Sequence, residues 1–255
     1  MRLSATIITL NEEKDLPRCL DSISEIADEI IVVDSGSTDK TIEIAKSYKA
    51  KVFFRKFDNY ANQKNFASEK SSGEWILSLD ADEEIERELE DEIKNEVINN
   101  KSLYDAYSIP RKNIILGKFI KHTRWQPELD RHIWLWKKDK GRWVGDVHEE
   151  VEVRGTVGKF KHAKVHYQYE SVQGFMKMMN GYSELDSIQR IKQGIKFSYF
   201  KLFIEPKYNF LVRYFYRLGF LDGWRGFALS YLMAIYHLEV WIKIWLKEKV
   251  NTADN

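Results

Sequence analysis

Short apolar runs alternate with segments of helical periodicity along the N-terminal part of the chain. The apolar runs are rich in β-branched residues and predict strands over residues 3–10, 29–34, 51–54 and 75–79. Between them, apolar residues recur every three or four positions, which predicts helices over residues 16–26, 41–48 and 62–71. Near-continuously apolar strands that alternate with helices are typical of a parallel sheet covered on both faces. The pattern therefore predicts an α/β fold with a mostly parallel, Rossmann-like sheet flanked by helices.

The pattern changes in the second part of the chain. An acidic helix is predicted over residues 84–100, and aromatic and β-branched runs then predict antiparallel strands over residues 104–109, 131–137 and 147–153. From residue 171 onward the periodicity is mostly helical. We therefore expect one domain over residues 1–170, with halves at 1–100 and 101–170, and a helical C-terminal extension over residues 171–255.

Composition narrows the classes of partner and compartment. The 40 basic and 39 acidic residues leave a net charge of +1, which gives no reason to expect a nucleic acid partner. Cys19 is the only cysteine, so no intramolecular disulfide forms and a reducing compartment is favoured. The N-terminal apolar run ends too early for a signal peptide, and the chain has no uninterrupted apolar stretch of about 18 residues that predicts a spanning helix. We expect a cytoplasmic protein.

Polar clusters follow three of the predicted strands, at residues 9–12, 34–39 and 80–84. Ligands of open α/β sheets bind at the carboxyl ends of the strands, so these clusters predict a binding site. Residues 74–96 are strongly acidic and residues 107–145 strongly basic, which suits a site for a cation together with a phosphorylated ligand.

Asp80 and Asp82 are the strongest candidates within these clusters. Two carboxylates one residue apart at a strand end can share one divalent cation, and oxygen ligands suit Mg²⁺ or Mn²⁺ bound together with substrate phosphates. The alternative is that they stabilise the first turn of the following helix, but the acidic residues after Asp82 already supply that charge.

Asp34 has two interpretations as well. Its carboxylate can accept a hydrogen bond from a base N–H or a ribose hydroxyl, or it can cap the next helix, for which Ser37 and Thr38 are better placed. Gly36 allows the loop a left-handed conformation or a close approach to a ligand. A sugar-phosphate nucleotidyltransferase or a Rossmann dehydrogenase is disfavoured, because the segment after the first strand lacks the glycine-rich phosphate loop of those classes.

Three motifs carry a resemblance to a known family. They are TLNEE at 9–13, VVDSGSTDKT at 32–41 and LSLDADEE at 77–84. In order and spacing they resemble the GT-A fold of glycosyltransferase family 2. LDRHIWLWKK and GRWVGDVHEEV, which begin at residues 129 and 141, resemble the second half of that catalytic domain, and RYFYRLGFLDGWRGF near the C-terminus resembles lipopolysaccharide-core glucosyltransferases.

The resemblance implies an inverting, metal-dependent transfer from a nucleotide sugar, with UDP-glucose the expected donor, onto a glycolipid or polysaccharide of the bacterial envelope. It implies a donor-binding half over 1–100 and an acceptor half over 101–170. The nucleoside is then held by Thr9, Asn11, Glu12 and Asp34, metal and pyrophosphate by Asp80 and Asp82, and phosphate by Lys64 and Arg131. For Lys64 and Arg131 the alternative is an ordinary solvated charge.

An inverting transfer needs a base that takes the proton of the acceptor hydroxyl. Asp146, Glu149 and Glu150 are candidates, and we predict Glu149 because it matches the His-Glu element of the resembling families. His148 is then placed to orient the acceptor or approach the metal. An antiparallel strand with an alternating polar face would explain the same segment without naming a base. His166 is a further metal or phosphate ligand, or a structural histidine.

The C-terminal segment interleaves aromatic and basic residues, the latter including Arg213, Arg217, Arg225, Lys243, Lys247 and Lys249. This pattern favours helices in the interface of the inner face of the cytoplasmic membrane, where anionic lipids attract them. His237, Glu239 and Lys243 make a spanning helix costly. Packing on the catalytic domain or in an oligomer explains the same periodicity. A non-catalytic protein that binds a nucleotide sugar or a glycan is the alternative function.

Overall fold

The computed structural model describes residues 2–99, 102–145 and 149–253, and the contacts divide the chain into two units. The first unit comprises Met1–Lys112 and Pro127–Tyr167, and the second comprises Asn113–Gln126 and Gln168–Asn255. The predicted domain boundaries stay a prediction. The sequence did not indicate that the segment Asn113–Gln126 belongs with the C-terminal helices.

The first unit begins with four parallel strands in the order β3-β2-β1-β4. Their bounds are Leu3–Thr9 for β1, Glu29–Asp34 for β2, Lys51–Phe54 for β3 and Trp75–Asp80 for β4. The connecting helices are α1 at Leu16–Ile23, α2 at Thr41–Ser47 and α3 at Tyr60–Lys70. The parallel sheet predicted from periodicity is confirmed.

Both faces of this sheet are covered. Val32 on β2 packs with Leu20 of α1 in the main core, whereas its neighbours Ile31 and Val33 pack with Ala67 of α3. Successive side chains of a strand point to opposite faces, so a continuous apolar run contributes to two cores at once. This is why β2 reads as uninterrupted hydrophobic sequence.

The second part of the first unit is antiparallel, as predicted. The strands from β5 onward along the chain are β5 Glu83–Ile85, β6 Ala106–Ile115, β7 Lys118–Phe119, β8 Arg131–Lys137, β9 Gly141–Val144, β10 Glu150–Val153, β11 Val157–Lys159 and β12 Lys164–Gln168, of which β7 belongs to the second unit. Strand β8 pairs antiparallel with both β4 and β6, and β9 pairs antiparallel with β10. Strand β11 is the exception, because it pairs parallel with β6.

The acidic helix begins later than the sequence indicated. Strand β5 pairs antiparallel with β12, and α4 therefore starts only at Arg87 and runs to Ile93, with wider π-type turns continuing over Lys94–Ile98. Predicting a helix from residue 84 was wrong because a pairing with a strand about eighty residues away overrides local helical propensity. The residues directly after Asp82 are thus strand residues.

The second unit is built on α5 Val172–Lys192, α6 Tyr199–Leu211 and α7 Trp224–Ala253. Between α6 and α7 the chain makes a π-type turn at Val212–Tyr216 and a 3-10 turn at Gly219–Asp222. Its apolar cores include Phe175 and Met179 of α5 with Leu229 and Met233 of α7, and farther along α7 Val240, Trp241 and Ile244. The helical C-terminal region expected from the periodicity is confirmed.

Helix α7 is long and apolar enough over Trp224–Lys249 to cross a membrane by length and composition, with a third of its most apolar stretch buried. Its polar side chains contact the other helices of the unit. His237 Nδ1 lies 3.2 Å from Glu205 Oε1 on α6. Ser183 Oγ donates to Glu239 Oε2 at 3.0 Å, and Lys243 Nζ donates to a carbonyl of α5 at 2.7 Å. These pairs explain how α7 carries charged residues within an apolar sequence.

Candidate active site

The carboxyl ends of β1, β2 and β4 lie side by side at one edge of the parallel sheet. The strand register places Thr9 opposite Asp34, and Asp80 opposite Ile8. Thr9 Oγ1 donates a hydrogen bond to Asp34 Oδ1 at 3.1 Å. The three polar clusters that follow these strands therefore meet in space, at the edge where α/β sheets bind ligands.

The Asp34 side chain shapes the loop that follows β2. Its Oδ2 accepts hydrogen bonds from the backbone N–H groups of Gly36 at 2.8 Å and Ser37 at 2.9 Å. Gly36 has a φ of 109°, a conformation that favours glycine. The carboxylate is buried. Asp34 thus organises its own loop, and its contact with a nucleoside stays a prediction.

Asn11 and Glu12 join the first loop to the second. Asn11 adopts a left-handed φ of 58°, and its Oδ1 accepts a hydrogen bond from Thr38 N at 2.8 Å. Glu12 N donates to Thr41 Oγ1 at 2.7 Å. Burial, and then the negative charge of Asp82, raise the pKa of Glu12 to about 7. The Glu12 carboxyl therefore lies within the field of the Asp-Ala-Asp motif.

Lys64 on α3 joins two predicted site residues that are far apart in sequence. Its Nζ lies 3.0 Å from Asp80 Oδ1 and 3.0 Å from Glu149 Oε1. The ammonium group also sits 4.5 Å from the ring centroid of Trp143, and the residue is only 3% exposed. Burial by itself lowers the pKa of Lys64, but Asp80 and then Glu149 raise it well above its usual range. Lys64 is thus a buried cation held between two carboxylates.

A second buried ion pair supports the Asp-Ala-Asp turn. Glu83 Oε2 accepts a hydrogen bond from Asp80 N at 2.9 Å and pairs with the Lys164 ammonium, both side chains being fully buried. Arg111 Nη1 lies 3.6 Å from Glu83 Oε1. Burial raises the pKa of Asp80, whereas Lys64 and then Lys164 lower it well below its usual range. Sequence analysis did not single out Glu83, Lys164 or Arg111.

Asp82 pairs with the histidine that was predicted near it. His166 Nε2 lies 3.2 Å from Asp82 Oδ2. Lys164 and His166 are two residues apart on β12 and therefore share one face of the strand. That spacing is a sequence signal that could have identified Lys164, because a residue two positions before a candidate ligand on a strand faces the same side. Direct binding of a metal by His166 stays a prediction.

Other predicted residues are not brought into this cluster. Arg131 Nη1 donates to the backbone carbonyls of Ser108 at 3.0 Å and Phe160 at 2.9 Å, and the rest of its guanidinium pairs with a nearby glutamate. Arg131 therefore holds strands together in this structure, and its contact with phosphate stays a prediction. Asp146 and His148 lie outside the described residues.

Comparison with known proteins decides the family. Residues 4–146, more than half of the chain, match Glycosyl transferase family 2. The chain belongs to this family. The protein is therefore a glycosyltransferase, and the GT-A fold that the three motifs implied is confirmed by the strand order and by this match.

Relatives match this family 2 glycosyltransferase along nearly its whole length. It is 34% identical to an uncharacterized glycosyltransferase of Rickettsia typhi over 91% of this chain and 83% of the relative. It is 30% identical to the lipopolysaccharide core biosynthesis glycosyltransferase LpsC of Rhizobium meliloti over 99% of this chain and 95% of LpsC. Among solved structures, S. aureus TarS in complex with UDP is similar at 17% identity and a TM-score of 0.46, over 72% of this chain and 64% of TarS.

The Asp-Ala-Asp carboxylates fit a divalent cation that is shared with substrate. Asp80 uses Oδ1 for Lys64, Asp82 uses Oδ2 for His166, and within the described residues their other oxygens have no partner. The two side chains are 29% and 33% exposed. Mg²⁺ and Mn²⁺ are commonly held by one or two carboxylates, with water and phosphate completing the shell. Accordingly, the described residues contain no cluster of three or more His, Cys, Asp or Glu that encloses a metal.

Proposed function

We propose that this glycosyltransferase inverts the anomeric configuration, depends on a divalent cation, and uses Glu149 as its base. The supporting observation is the position of Lys64, whose Nζ lies 3.0 Å from both Asp80 and Glu149. The two carboxylate oxygens are therefore at most twice that distance apart. A sugar bound through its diphosphate at Asp80 and Asp82 then lies within reach of a base on the other side of Lys64.

In this mechanism Glu149 accepts the proton of the acceptor hydroxyl as that oxygen attacks the anomeric carbon. The bond from the anomeric carbon to the diphosphate breaks, and the diphosphate leaves with the electron pair. Asp80 and Asp82 would hold the divalent cation, which when bound would stabilise the charge that develops on the leaving diphosphate. Lys64 orients Glu149 and Asp80 relative to each other through its two ion pairs.

We propose a nucleotide sugar, UDP-glucose first, as the donor, and a lipopolysaccharide-core or other envelope glycan as the acceptor. The support for the acceptor is the 30% identity with LpsC, which extends over 99% of this chain. The support for a diphosphate leaving group is the pair of partly exposed carboxylates at the end of β4. UDP-glucose itself rests on the family resemblance alone.

The second unit exposes a set of large apolar side chains that suits a membrane interface at the inner face of the cytoplasmic membrane. The exposed aromatic residues on and after α6 include Tyr199, Phe200, Phe203, Tyr208, Phe215, Tyr216 and Trp224. Exposed Lys201 and Lys207 lie among them and complement anionic lipid headgroups. The expectation that Arg213 lies on this surface was wrong, because the residue is buried. Internal packing explains other residues of the segment, among them Trp241.

The assay for the proposed activity is a screen of nucleotide sugars with purified protein, Mn²⁺ and a lipopolysaccharide-core acceptor. Glu149→Gln should lower turnover by roughly two to four orders of magnitude, the usual share of general-base catalysis, while donor binding survives. Glu150→Gln, at an exposed position next in sequence, is the matched control and should turn over normally. Unchanged turnover in Glu149→Gln would contradict the assignment of the base. A product with retained anomeric configuration would contradict the single displacement.

Membrane binding is tested by sedimentation with anionic vesicles. Phe200→Ser combined with Phe203→Ser removes two exposed aromatic side chains from α6 and should weaken binding to the vesicles. Binding of the wild type should also fall as salt is added, because salt screens the attraction between lysines and anionic lipids. Phe54→Ser removes an equally exposed aromatic side chain from β3 and is the control. Equal partitioning of both variants and the wild type would argue against the interface.

A further inference from the structure

Arg213 is a buried arginine that pairs with no acidic residue in the described part of the chain. It lies in the π-type turn Val212–Tyr216, and only 7% of the residue is exposed. Its Nη1 donates to the carbonyl of Thr123 at 2.8 Å, and its guanidinium lies 5.1 Å from the ring centroid of Trp125. Nε is buried and has no hydrogen-bond partner among the described residues. One hydrogen bond thus accounts for one of five N–H donors.

The charges around Arg213 make this arrangement unfavourable without a ligand. Burial, and then the positive charge of Arg124, lower the pKa of Arg213 to about 10, so the side chain is still a cation at neutral pH. No Asp or Glu of the described residues pairs with it. Asp222, in the 3-10 turn that follows, accepts hydrogen bonds from the backbone N–H groups of Lys121 and His122 instead. A buried charge without a counterion is unfavourable in general, because burial removes the solvation of the charged group.

The backbone at Thr123 and Arg124, to which Arg213 is hydrogen-bonded through the Thr123 carbonyl, is also strained. Thr123 and Arg124 have φ values of 63° and 92°, and such values are unusual for a β-branched residue such as threonine. Gly219 makes this packing possible, because a Cβ at that position would lie 2.6 Å from Thr123 Cγ2. The carbonyl that accepts from Arg213 belongs to the peptide bond between Thr123 and Arg124, so Arg213 binds the backbone directly before a second arginine. Strained backbone and π-type turns are both enriched at functional sites.

We propose that Arg213 and Arg124 form a binding site for a phosphomonoester group, presented by a phosphorylated glycan or by a lipid headgroup. A phosphomonoester carries a charge of about −1.5 to −2 at neutral pH, which matches two guanidinium groups better than a single carboxylate does. Arginine presents a planar fork of donors that suits phosphate oxygens. The site consists entirely of residues in the second unit and does not depend on the function proposed above.

The test follows the Nε–Hε signal of Arg213 by NMR in ¹⁵N-labelled full-length protein during titration with inorganic phosphate and with glucose 6-phosphate. Arg213→Lys identifies the signal, because that variant lacks it. We expect a saturable shift with phosphate and none with chloride at equal ionic strength. The shift of this signal reports the surroundings of Arg213, whereas turnover reports the glycosyl transfer site, so the two proposals are tested by separate readouts.

Arg124→Asn decides the proposal without disturbing the core. Arg124 is exposed, and asparagine tolerates a positive φ. The concentration for half-saturation should rise about tenfold, as expected for loss of one charge-assisted hydrogen bond. Arg154→Asn removes an exposed arginine from the first unit and should leave the titration unchanged. No saturable shift, or an identical titration in Arg124→Asn, would overturn the site.

Vesicles distinguish the two sources of phosphate. If the ligand is a lipid headgroup, phosphatidic acid in phosphatidylcholine vesicles should increase binding of the wild type but not of Arg124→Asn. If the ligand is a phosphorylated glycan, glucose 6-phosphate should saturate the Arg213 signal and phosphatidic acid should make no difference between the two proteins. Either pattern supports the site, and Arg124-independent results in both arms reject it.

Discussion

Replacing Lys64 with Met should destabilise the first unit by leaving two carboxylates face to face. Lys64 Nζ lies 3.0 Å from Asp80 Oδ1 and 3.0 Å from Glu149 Oε1, so without it two negative charges face each other at up to twice that distance. Two unit charges about 6 Å apart repel by roughly 3 kcal/mol at an effective dielectric constant of about 20. The carboxylates are 29% and 18% exposed, and this solvent contact reduces the effect. We expect a loss of about 1–3 kcal/mol in the free energy of unfolding.

The measurement is urea unfolding of Lys64→Met at neutral pH, with and without Mn²⁺. Adding Glu149→Gln to Lys64→Met removes one of the two negative charges and should restore part of the lost stability, which a double-mutant cycle quantifies. Mn²⁺ should stabilise Lys64→Met more than the wild type, because the cation replaces a missing positive charge next to Asp80. Lys56→Met, at an exposed position before α3, is the control for loss of a lysine.

The reasoning fails if Lys64→Met unfolds at the same urea concentration as Lys56→Met and the wild type. It fails equally if the double variant is as unstable as the sum of the two single changes. Either result would mean that Asp80 and Glu149 do not interact through Lys64 in solution.

Further predictions concern the metal, the pH dependence of stability and the helical core. Asp82→Asn should abolish Mn²⁺-dependent turnover with little change in the melting temperature. Asp91→Asn, at an exposed position on α4, is the control and should retain turnover. Near-normal activity of Asp82→Asn would contradict the metal assignment. Burial raises the pKa of Glu205, but hydrogen bonds from three neighbouring side chains more than offset this and lower it to about 2. The stability that these bonds contribute is present above the unfolded pKa of about 4.5 and should be lost as pH falls from there towards 2. When the free energy of unfolding is measured over this pH range, it should fall less in Glu205→Gln than in the wild type. Phe175→Ala should cost about 3–5 kcal/mol in calorimetry because the side chain is fully buried, and Phe200→Ala, at an exposed position, less than about 0.5 kcal/mol.

Local sequence was sufficient to predict the parallel half of the sheet. β2 and β3 have the bounds that the apolar runs predicted, and the helices between the strands agree to within a few residues. The reason is that fully buried parallel strands need uninterrupted apolar sequence, while the covering helices need a single apolar face. The polar residues directly after those strands had to lie at one edge, because all the strands point the same way.

Long-range pairing decided what the sequence could not. The segment after Asp82 has the composition of a helix, yet Glu83–Ile85 is a strand because β12 is available to pair with it. Arg131 and Lys64 are both cations that the sequence alone cannot tell apart, and only the fold shows that Arg131 donates to backbone carbonyls while Lys64 lies between two carboxylates. Side-chain identity does not specify the partner when the partner is contributed from elsewhere in the chain.

The sequence by itself determined the family, the alternating strands and helices at the start of the sheet and the Asp-Ala-Asp motif at a strand end, because these depend on local periodicity and on short motifs. Only the tertiary structure decided that Glu149 is joined to Asp80 through Lys64, and that Arg213 is buried against the backbone before Arg124 with no Asp or Glu of the described residues paired to it. Both arrangements depend on burial and on which charges the fold brings together. The free energy of a charge is set by its surroundings in space, and neighbours in sequence specify those surroundings only in part.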